Sequence, residues 1–273
     1  MEQIKKIDIH AYATAFPRYA PVHPVNGGRM VSADEVIRFY DKLNVEKGVL
    51  LPVVNPEAQW LQIGVEETKW IADQHPGRFV WFCSIDPRSA QNSDKTNLSY
   101  LLEHYKQLGA KGVGEVAANL YADDPKMENL FAHCEKQKMP VILRISTSGG
   151  YGVIDEPGLP RLKKMLKKHP DLTVLVCGAQ EDVLVLMREC SNLSCDFSTK
   201  SAAEAWMADR KYTAKVIHEF ADRLFCGCAF STDVDTYQFS FADFLEDMRK
   251  NREISEENYR KIVRENAKKL LGL

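Results

Sequence analysis

The chain has 273 residues, of which 45% are hydrophobic and 27% charged, and its formal net charge is -2 at pH 7. This is the composition of a globular protein, and the length suits one barrel-sized domain. A near-neutral balance gives no electrostatic argument for nucleic acid or an anionic membrane surface as a partner, and we expect neither.

Seven cysteines lie mostly within apolar stretches and form no Cys-x-x-Cys pair. An odd number without metal-type spacing indicates reduced, buried thiols rather than a disulfide framework. Charged residues, among them Lys5, Lys6 and Asp8, interrupt the apolar start, and no stretch is long and apolar enough for a transmembrane helix. We therefore predict a cytoplasmic protein without a signal peptide or a membrane span.

Apolar runs along the chain predict eight buried strands. Most of these runs are continuous and lack strict alternation, which is typical of parallel strands covered on both faces. The predicted strands are Lys6–Ala13, Lys47–Val54, Arg78–Asp86, Lys111–Ala117, Pro140–Ser146, Leu172–Ala179, Leu193–Ser198 and Arg223–Phe230.

Helical periodicity separates most of these strands. A capping box from Ser32 to Glu35 begins the first helix, and Asp124 with Pro125 begins the fourth. The predicted helices are Val36–Leu43, Trp60–Gln74, Leu98–Leu108, Met127–Gln137, Leu159–His169, Glu181–Glu189, Phe241–Lys250 and Ser255–Leu271. Two segments without periodicity, Thr14–Met30 and Thr147–Gly158, are predicted loops, and loops of such length are usually functional.

Eight parallel strands separated by helices predict an α/β fold, a single (β/α)8 TIM barrel covering residues 1–273. An open doubly wound sheet is the alternative, but it favours a Gly-rich phosphate turn after an early strand, which this sequence lacks. The active site of a TIM barrel lies at the C-terminal ends of its strands. The polar side chains that this rule selects are His10, Tyr12, Glu115, Arg144 and Asp196.

A series of motifs, in order along essentially the whole chain, resembles the amidohydrolase superfamily. The similar branch is the amidohydrolase-related one, which includes aminocarboxymuconate semialdehyde decarboxylase. The motifs are Asp8-Ile9-His10-Ala11-Tyr12, Gly112-Val113-Gly114-Glu115, Gly158-Leu159-Pro160-Arg161-Leu162, His169-Pro170-Asp171-Leu172 and the ending Asn266–Leu273. The resemblance implies metal-dependent hydrolysis or decarboxylation of small carboxylated substrates, with zinc or manganese as the family cofactor.

The resemblance also places four family metal-binding positions on residues that are unusual metal ligands. These positions fall on Tyr12, Arg144, Gly178 and Ala229, so that His10 alone is retained. Because a catalytic zinc site needs about three protein ligands, we expect no bound metal and no other cofactor.

Other residues leave alternatives open. If four residues are inserted, Phe230-Ser231-Thr232-Asp233 matches the family's Phe-Gly-Thr-Asp, and Asp233 joins His10 as a candidate catalytic residue. Asp233 can equally be a turn residue. Cys177 and Cys228 flank two of the replaced positions, and strand alternation predicts that they face the helices as small buried hydrophobes.

Arg144 brings a fixed positive charge to one replaced position, and Glu115, one strand away, is its predicted ion-pair partner. The pair can be purely structural, or Arg144 can hold a substrate carboxylate or phosphate. Likewise, His10 and Tyr12 can form a simple polar contact. The predicted ligand-binding set is His10, Tyr12, Glu115, Arg144, Gln180 and Asp196.

Two functions follow as expectations from the resemblance and these replacements. The first is a catalytically impaired hydrolase homologue, a pseudoenzyme that binds a small anionic molecule. The second is an active hydrolase or decarboxylase that acts on a small carboxylated substrate with a reduced or metal-free site. Family members commonly associate through barrel helices, so a homo-oligomer is a further expectation.

Overall fold

A computed structural model describes residues 4–24, 26–57, 60–148, 151–234 and 237–273. Strands and helices alternate along the chain, and a π-helical turn, Lys261–Glu265, separates the last two helices. The elements are β1 (Lys6–Ala11), α1 (Ala33–Leu43), β2 (Val45–Leu50), α2 (Val65–Gln74), β3 (Phe79–Trp81), α3 (Ser99–Gln107), β4 (Val113–Val116), α4 (Pro125–Gln137), β5 (Val141–Leu143), β6 (Ile145–Ser146), β7 (Val153–Ile154), α5 (Pro160–Lys168), β8 (Val174–Val176), α6 (Glu181–Glu189), β9 (Leu193–Asp196), α7 (Lys200–Ala208), α8 (Arg210–Phe220), β10 (Leu224–Phe225), α9 (Tyr237–Lys250), α10 (Glu256–Arg260) and α11 (Asn266–Leu271).

Each predicted strand overlaps an observed one, from β1 to β5 and from β8 to β10. The caps that begin two helices are also confirmed. Ser32 and Glu35 form the capping box of α1, and Asp124 accepts a hydrogen bond from the N–H of Lys126 at the start of α4. These local signals are strong because each satisfies backbone N–H groups that the first helical turn leaves unbonded.

Several predicted boundaries and connections are wrong. Helix α2 begins at Val65 rather than Trp60, because Ile63 is held in a β-bridge with Val53. The predicted loop Thr147–Gly158 contains β7, which pairs with β6, while residues 149–150 lie outside the described part of the chain. The sequence prediction also missed α7 and α8, and it began α9 four residues late.

The chain divides into two compact units, and the first comprises Met1–Leu50, Ile71–Val80 and Cys195–Leu273 in their described parts. Here β1 pairs in parallel with β2, and β9 with β10. Backbone hydrogen bonds from Ile9 N–H to Cys226 O (2.9 Å) and from Ala229 N–H to His10 O (2.7 Å) join the segment after β10 to the other edge of β1. The N-terminal strand is therefore interior to the sheet of this unit.

Aromatic side chains and one close backbone approach fill the core of the first unit. Phe197 packs edge-on against Trp206, with ring centroids 4.5 Å apart. At Gly48 an added Cβ would lie 2.0 Å from the hydroxyl oxygen of Tyr40. The absence of a side chain on Gly48 therefore leaves the space through which the Tyr40 ring reaches Asp8 on β1.

The second unit comprises Leu51–Trp70 and Trp81–Ser194 in their described parts. Its strands β4, β5 and β8 pair in parallel, with Val141 opposite Val174 and Leu143 opposite Val176. Parallel pairing needs a crossover connection, which α4 and α5 provide. Among the described residues, no helix is both long and apolar enough to cross a membrane.

Candidate functional site

Three side chains of the first unit form a hydrogen-bonded chain. His10 Nδ1 lies 3.0 Å from Asp196 Oδ2, and His10 Nε2 lies 2.8 Å from the Tyr12 hydroxyl. Residues two apart on a strand point to the same side, which brings Tyr12 beside His10 as the sequence pattern indicates. We call the three residues the Asp196–His10–Tyr12 relay.

The direction of the hydrogen bonds in the relay follows from the chemistry of its ends. A carboxylate only accepts, so His10 Nδ1 carries the proton that is donated to Asp196. In the neutral ring Nε2 then accepts, and the Tyr12 O–H donates to it. His10 and Asp196 are fully buried and Tyr12 is 6% exposed, so Tyr12 is the member of the relay that retains accessible surface.

Asp196 is oriented by the residues that follow its strand. Its Oδ1 accepts hydrogen bonds from the Ser198 N–H at 2.9 Å and from the Ser198 hydroxyl at 2.5 Å. Gly227 passes close by, because a Cβ built there would lie 3.1 Å from the Asp196 carboxylate. These contacts leave Oδ2 directed at His10. Sequence analysis missed Ser198, although an Asp followed two residues later by Ser is the pattern of such a local turn.

Asp8 lies beneath the relay on β1 and is fully buried. Its Oδ1 accepts hydrogen bonds from the N–H groups of His10 (2.9 Å) and Cys228 (2.8 Å), and its Oδ2 accepts one from the Tyr40 hydroxyl (2.7 Å). Burial raises the pKa of Asp8 from 3.8 to about 6, against the opposing effect of these hydrogen bonds. The carboxyl group therefore titrates at mildly acidic pH. It also fixes the backbone of His10 and that of Cys228 on the segment that pairs with β1.

We expect Asp8 to make the folding free energy depend on pH between about 4 and 6. In this window the unfolded chain has lost the Asp8 proton and the folded protein retains it, so stability falls as pH rises. The shift corresponds to about 3 kcal/mol at 1.36 kcal/mol per pKa unit. Asp8→Asn should remove this loss, as measured by urea unfolding of both proteins from pH 4 to pH 7.

Tyr40→Phe provides the matched comparison for the Asp8 titration. The Tyr40 hydroxyl donates to Asp8 and lowers its pKa, so the loss of stability in Tyr40→Phe should extend to higher pH than in the wild type. If wild type and Asp8→Asn show parallel stability profiles across this range, Asp8 does not titrate as described.

In the second unit Glu115 and Arg144 form the ion pair that the sequence analysis predicts. Arg144 Nη2 lies 3.3 Å from Glu115 Oε2, and Arg144 Nε is in close contact with Oε1. Glu115 is fully buried, whereas the Arg144 side chain is 23% exposed. The guanidinium also lies over the Tyr151 ring, 5.5 Å from its centroid. The pair thus places the Glu115 carboxylate in the interior. The Arg144 guanidinium that balances its charge is positioned by Glu115 itself and by the Tyr151 ring.

Cys177 is not turned toward the helices as alternation predicts. Its Sγ lies 3.5 Å from Glu115 Oε1, on the carboxylate side of the ion pair. The reason is that β8 ends at Val176, so Cys177 is beyond the regular strand and is not bound by its alternation. Cys228 does lie against the helices, since it lines a cavity beside Phe241 and Leu245 of α9.

The remaining candidates lie on loops. Asp233 accepts the Arg29 N–H at 2.8 Å, and its carboxylate lies 3.6 Å from the Arg29 guanidinium. These contacts fix Arg29, near the end of the Thr14–Met30 segment. A catalytic role for Asp233 stays a prediction. Gln180 precedes α6 with an exposed side chain that makes no capping hydrogen bond, so its role in ligand binding is likewise a prediction.

The ligand-type side chains at strand ends are His10 in the first unit and Glu115 and Cys177 in the second. His10 already uses both ring nitrogens in hydrogen bonds, and Glu115 already neutralises Arg144. These three side chains are of the types that ligate divalent metals, so the expected absence of a bound metal stays a prediction.

Comparison with solved structures identifies the class of fold. An uncharacterized TIM-barrel protein from Bordetella bronchiseptica superposes with a TM-score of 0.74 at 19% identity, covering 98% of this chain and 99% of that one. Parallel strands alternating with helices, together with this likeness, define a (β/α)8 barrel, as the sequence predicts, and exclude the open doubly wound sheet.

The family follows from a direct match. Residues 58–273 match the amidohydrolase family model described as "Amidohydrolase", so the chain belongs to this family. A search of curated proteins returns no match.

Two decarboxylases are among the similar structures. One is 2,6-dihydroxybenzoate decarboxylase in complex with 2,6-dihydroxybenzoate, with a TM-score of 0.65 and 15% identity, covering 99% of this chain and all of that one (100%). The other is 5-carboxyvanillate decarboxylase from Novosphingobium aromaticivorans in complex with manganese and a nitrobenzoic acid. Its TM-score is 0.68 at 15% identity, with 98% of this chain and 96% of that chain covered.

Proposed function

We propose that the protein is a metal-independent decarboxylase that acts on a small aromatic or otherwise cyclic carboxylic acid. The observation that carries this proposal is the Asp196–His10–Tyr12 relay, with bonds of 3.0 Å and 2.8 Å. A buried Asp beside an imidazole stabilises the imidazolium, and a hydroxyl on the other ring nitrogen can then pass protons outward. Tyr12 is the group that would meet the substrate.

The relay suits decarboxylation better than hydrolysis. Metal-free hydrolysis needs both an activated water and a group that stabilises the developing oxyanion, two tasks that a metal ion performs together. Decarboxylation of a hydroxylated aromatic acid needs one proton at the ring carbon that bears the carboxylate. Tyr12 would give that proton, the C–C bond would break with its electron pair returning to the ring, and carbon dioxide would leave.

The proton that Tyr12 gives is replaced from within the relay. In the protonated state His10 Nε2–H donates to the Tyr12 oxygen, and the Asp196 carboxylate balances the imidazolium charge. As Tyr12 gives its proton to carbon, it takes one from Nε2, and His10 is reprotonated from solvent before the next turnover. The net reaction consumes one proton and the aromatic carboxylate. It releases carbon dioxide and the neutral ring, which carries a hydrogen where the carboxylate was.

The substrate class is supported by what similar proteins bind. The two decarboxylases named above take benzoic acids that carry hydroxyl or methoxy groups, according to their descriptions. The proposal departs from the second protein in its manganese, because the resemblance puts Tyr12, Arg144, Gly178 and Ala229 at family ligand positions.

The proposal is tested with chelated protein and a panel of hydroxybenzoates, pyrone carboxylates, lactones and amides. We expect elemental analysis to find no stoichiometric zinc or manganese, and we expect carbon dioxide release from at least one hydroxybenzoate with excess chelator present. Turnover that disappears on chelation and returns with zinc or manganese would show that the reaction depends on a metal and that the relay does not replace it.

A second candidate function is binding of a small anion without turnover. Its support is Arg144, whose side chain is 23% exposed beside the buried Glu115, so that part of the guanidinium can meet an anion from solvent. Thermal stabilisation by carboxylates or phosphates, together with no turnover anywhere in the panel, would select this function. A cytoplasmic location and self-association, which the sequence analysis expects, stay predictions.

A further inference from the structure

A cavity of the first unit lies between the segment after β10 and the helices that follow it. Counted out to the surrounding atoms and including the open space at its mouth, it measures about 450 Å³. Its walls come from the cysteines that follow β10, from α9, and from the C-terminal helical stretch. No residue of the Asp196–His10–Tyr12 relay lines it, so any ligand bound there is distinct from a substrate at Tyr12.

Most of the cavity wall is apolar. Phe197, Phe241 and Leu245 contribute hydrocarbon surface, and the thiols of Cys226 and Cys228 contribute soft, weakly polar surface. The ammonium of Lys6, at the rim, already donates to the Leu43 carbonyl at 2.7 Å. The other side chains of the wall carry no charge, so an ionised ligand bound among them, beside Gln238, would lose its hydration without compensation, which favours a neutral occupant.

One polar side chain in this wall lacks a partner for one of its atoms. Gln238 is 4% exposed, and its Nε2 donates to the Cys228 carbonyl at 2.9 Å, which fixes the orientation of the amide. Its Oε1 is buried and accepts a hydrogen bond from no group that the structure describes. A buried acceptor of this kind is costly to the fold unless a donor reaches it.

The backbone beside the cavity is also irregular. The π-helical turn Lys261–Glu265 contributes Val263 to the wall, and its Ile262 carbonyl accepts the Cys226 N–H at 3.0 Å. Turns of this type occur frequently at functional sites, because the wider helix opens space beside it.

We propose that this cavity is a binding site for a small neutral molecule with an apolar body and a single hydrogen-bond donor directed at Gln238 Oε1. Phenol has this chemistry. Apolar cavities that admit one ring bind benzene-sized molecules, and one well-placed polar group then decides which of them is preferred. The proposal does not depend on the decarboxylase function.

The test compares phenol with toluene, which has nearly the same shape and no donor. Isothermal titration with the full-length protein should give phenol an affinity about tenfold higher, the value of one added hydrogen bond. Gln238→Leu should remove this preference. Ala242→Leu, which fills the cavity from α9, should weaken both ligands.

The thiol of Cys226 gives an independent readout of where phenol binds. Cys226 is partly exposed and lines the cavity, whereas the other six cysteines are buried. Bound phenol should slow its modification by methyl methanethiosulfonate, with Cys226→Ser as the blank. The proposal is overturned if phenol and toluene bind equally, if Gln238→Leu retains the preference, or if saturating phenol leaves the modification rate unchanged.

Discussion

Tyr12→Phe is expected to lower kcat for the decarboxylated substrate by about 10²–10⁴-fold, the usual contribution of a positioned acid or base. The variant keeps the ring and removes only the oxygen through which the relay would reach the substrate. Tyr19→Phe serves as the control, because Tyr19, like Tyr12, lies in the connection between β1 and α1, and it is 87% exposed. Turnover by Tyr12→Phe within a few fold of the wild type would remove Tyr12 from the mechanism.

Asp196→Asn tests the relay without relying on activity. The amide oxygen must face the Ser198 N–H and hydroxyl, so the amide nitrogen would face His10 Nδ1. Nδ1 would then accept and Nε2 would carry the proton, which reverses the tautomer. Nitrogen-15 NMR of the His10 ring distinguishes the two forms. An unchanged tautomer in Asp196→Asn would show that Asp196 does not set the direction of the relay.

Arg144→Met is expected to destabilise the fold by about 3–5 kcal/mol, because it leaves the fully buried Glu115 carboxylate without its guanidinium. Glu115→Gln combined with Arg144→Met should be milder than Arg144→Met alone. Urea unfolding of the wild type and both variants measures these differences.

Arg210→Met is the matched control for the buried ion pair. Arg210 contacts Glu253 and Asp247 on the surface and its side chain is 38% exposed, so its loss should cost much less stability than the loss of Arg144. Equal stability losses in Arg144→Met and Arg210→Met would mean that the burial of Glu115 does not matter.

The parts of the site that the sequence predicts are those set by short-range geometry. Tyr12 directly follows β1, which carries His10, and Arg144 directly follows β5, the neighbour of the strand β4 that carries Glu115. Chain proximity and strand order therefore bring each pair together. The bond between His10 and Asp196 joins residues 186 positions apart. Its existence depends on strand register and tilt, which an apolar pattern does not encode.

The errors have equally local causes. Cys177 escapes the predicted alternation because its strand ends one residue earlier. Helices α7 and α8 were missed although buried residues such as Ala202, Ala203 and Trp206 recur at helical spacing, because the apolar residues of α7 are mostly alanines. Gln238 gives no sequence signal at all, since a single glutamine on a helix is usually exposed.

The interior position of β1 has a consequence for synthesis on the ribosome. The segment that bonds the second edge of β1, around Cys226 to Ala229, leaves the ribosome more than two hundred residues after the strand does. At 5–20 residues per second the nascent chain carries an unpaired strand edge for roughly 10–40 seconds. Until that segment emerges, this edge is a surface for chaperone capture or for misassembly with neighbouring nascent chains.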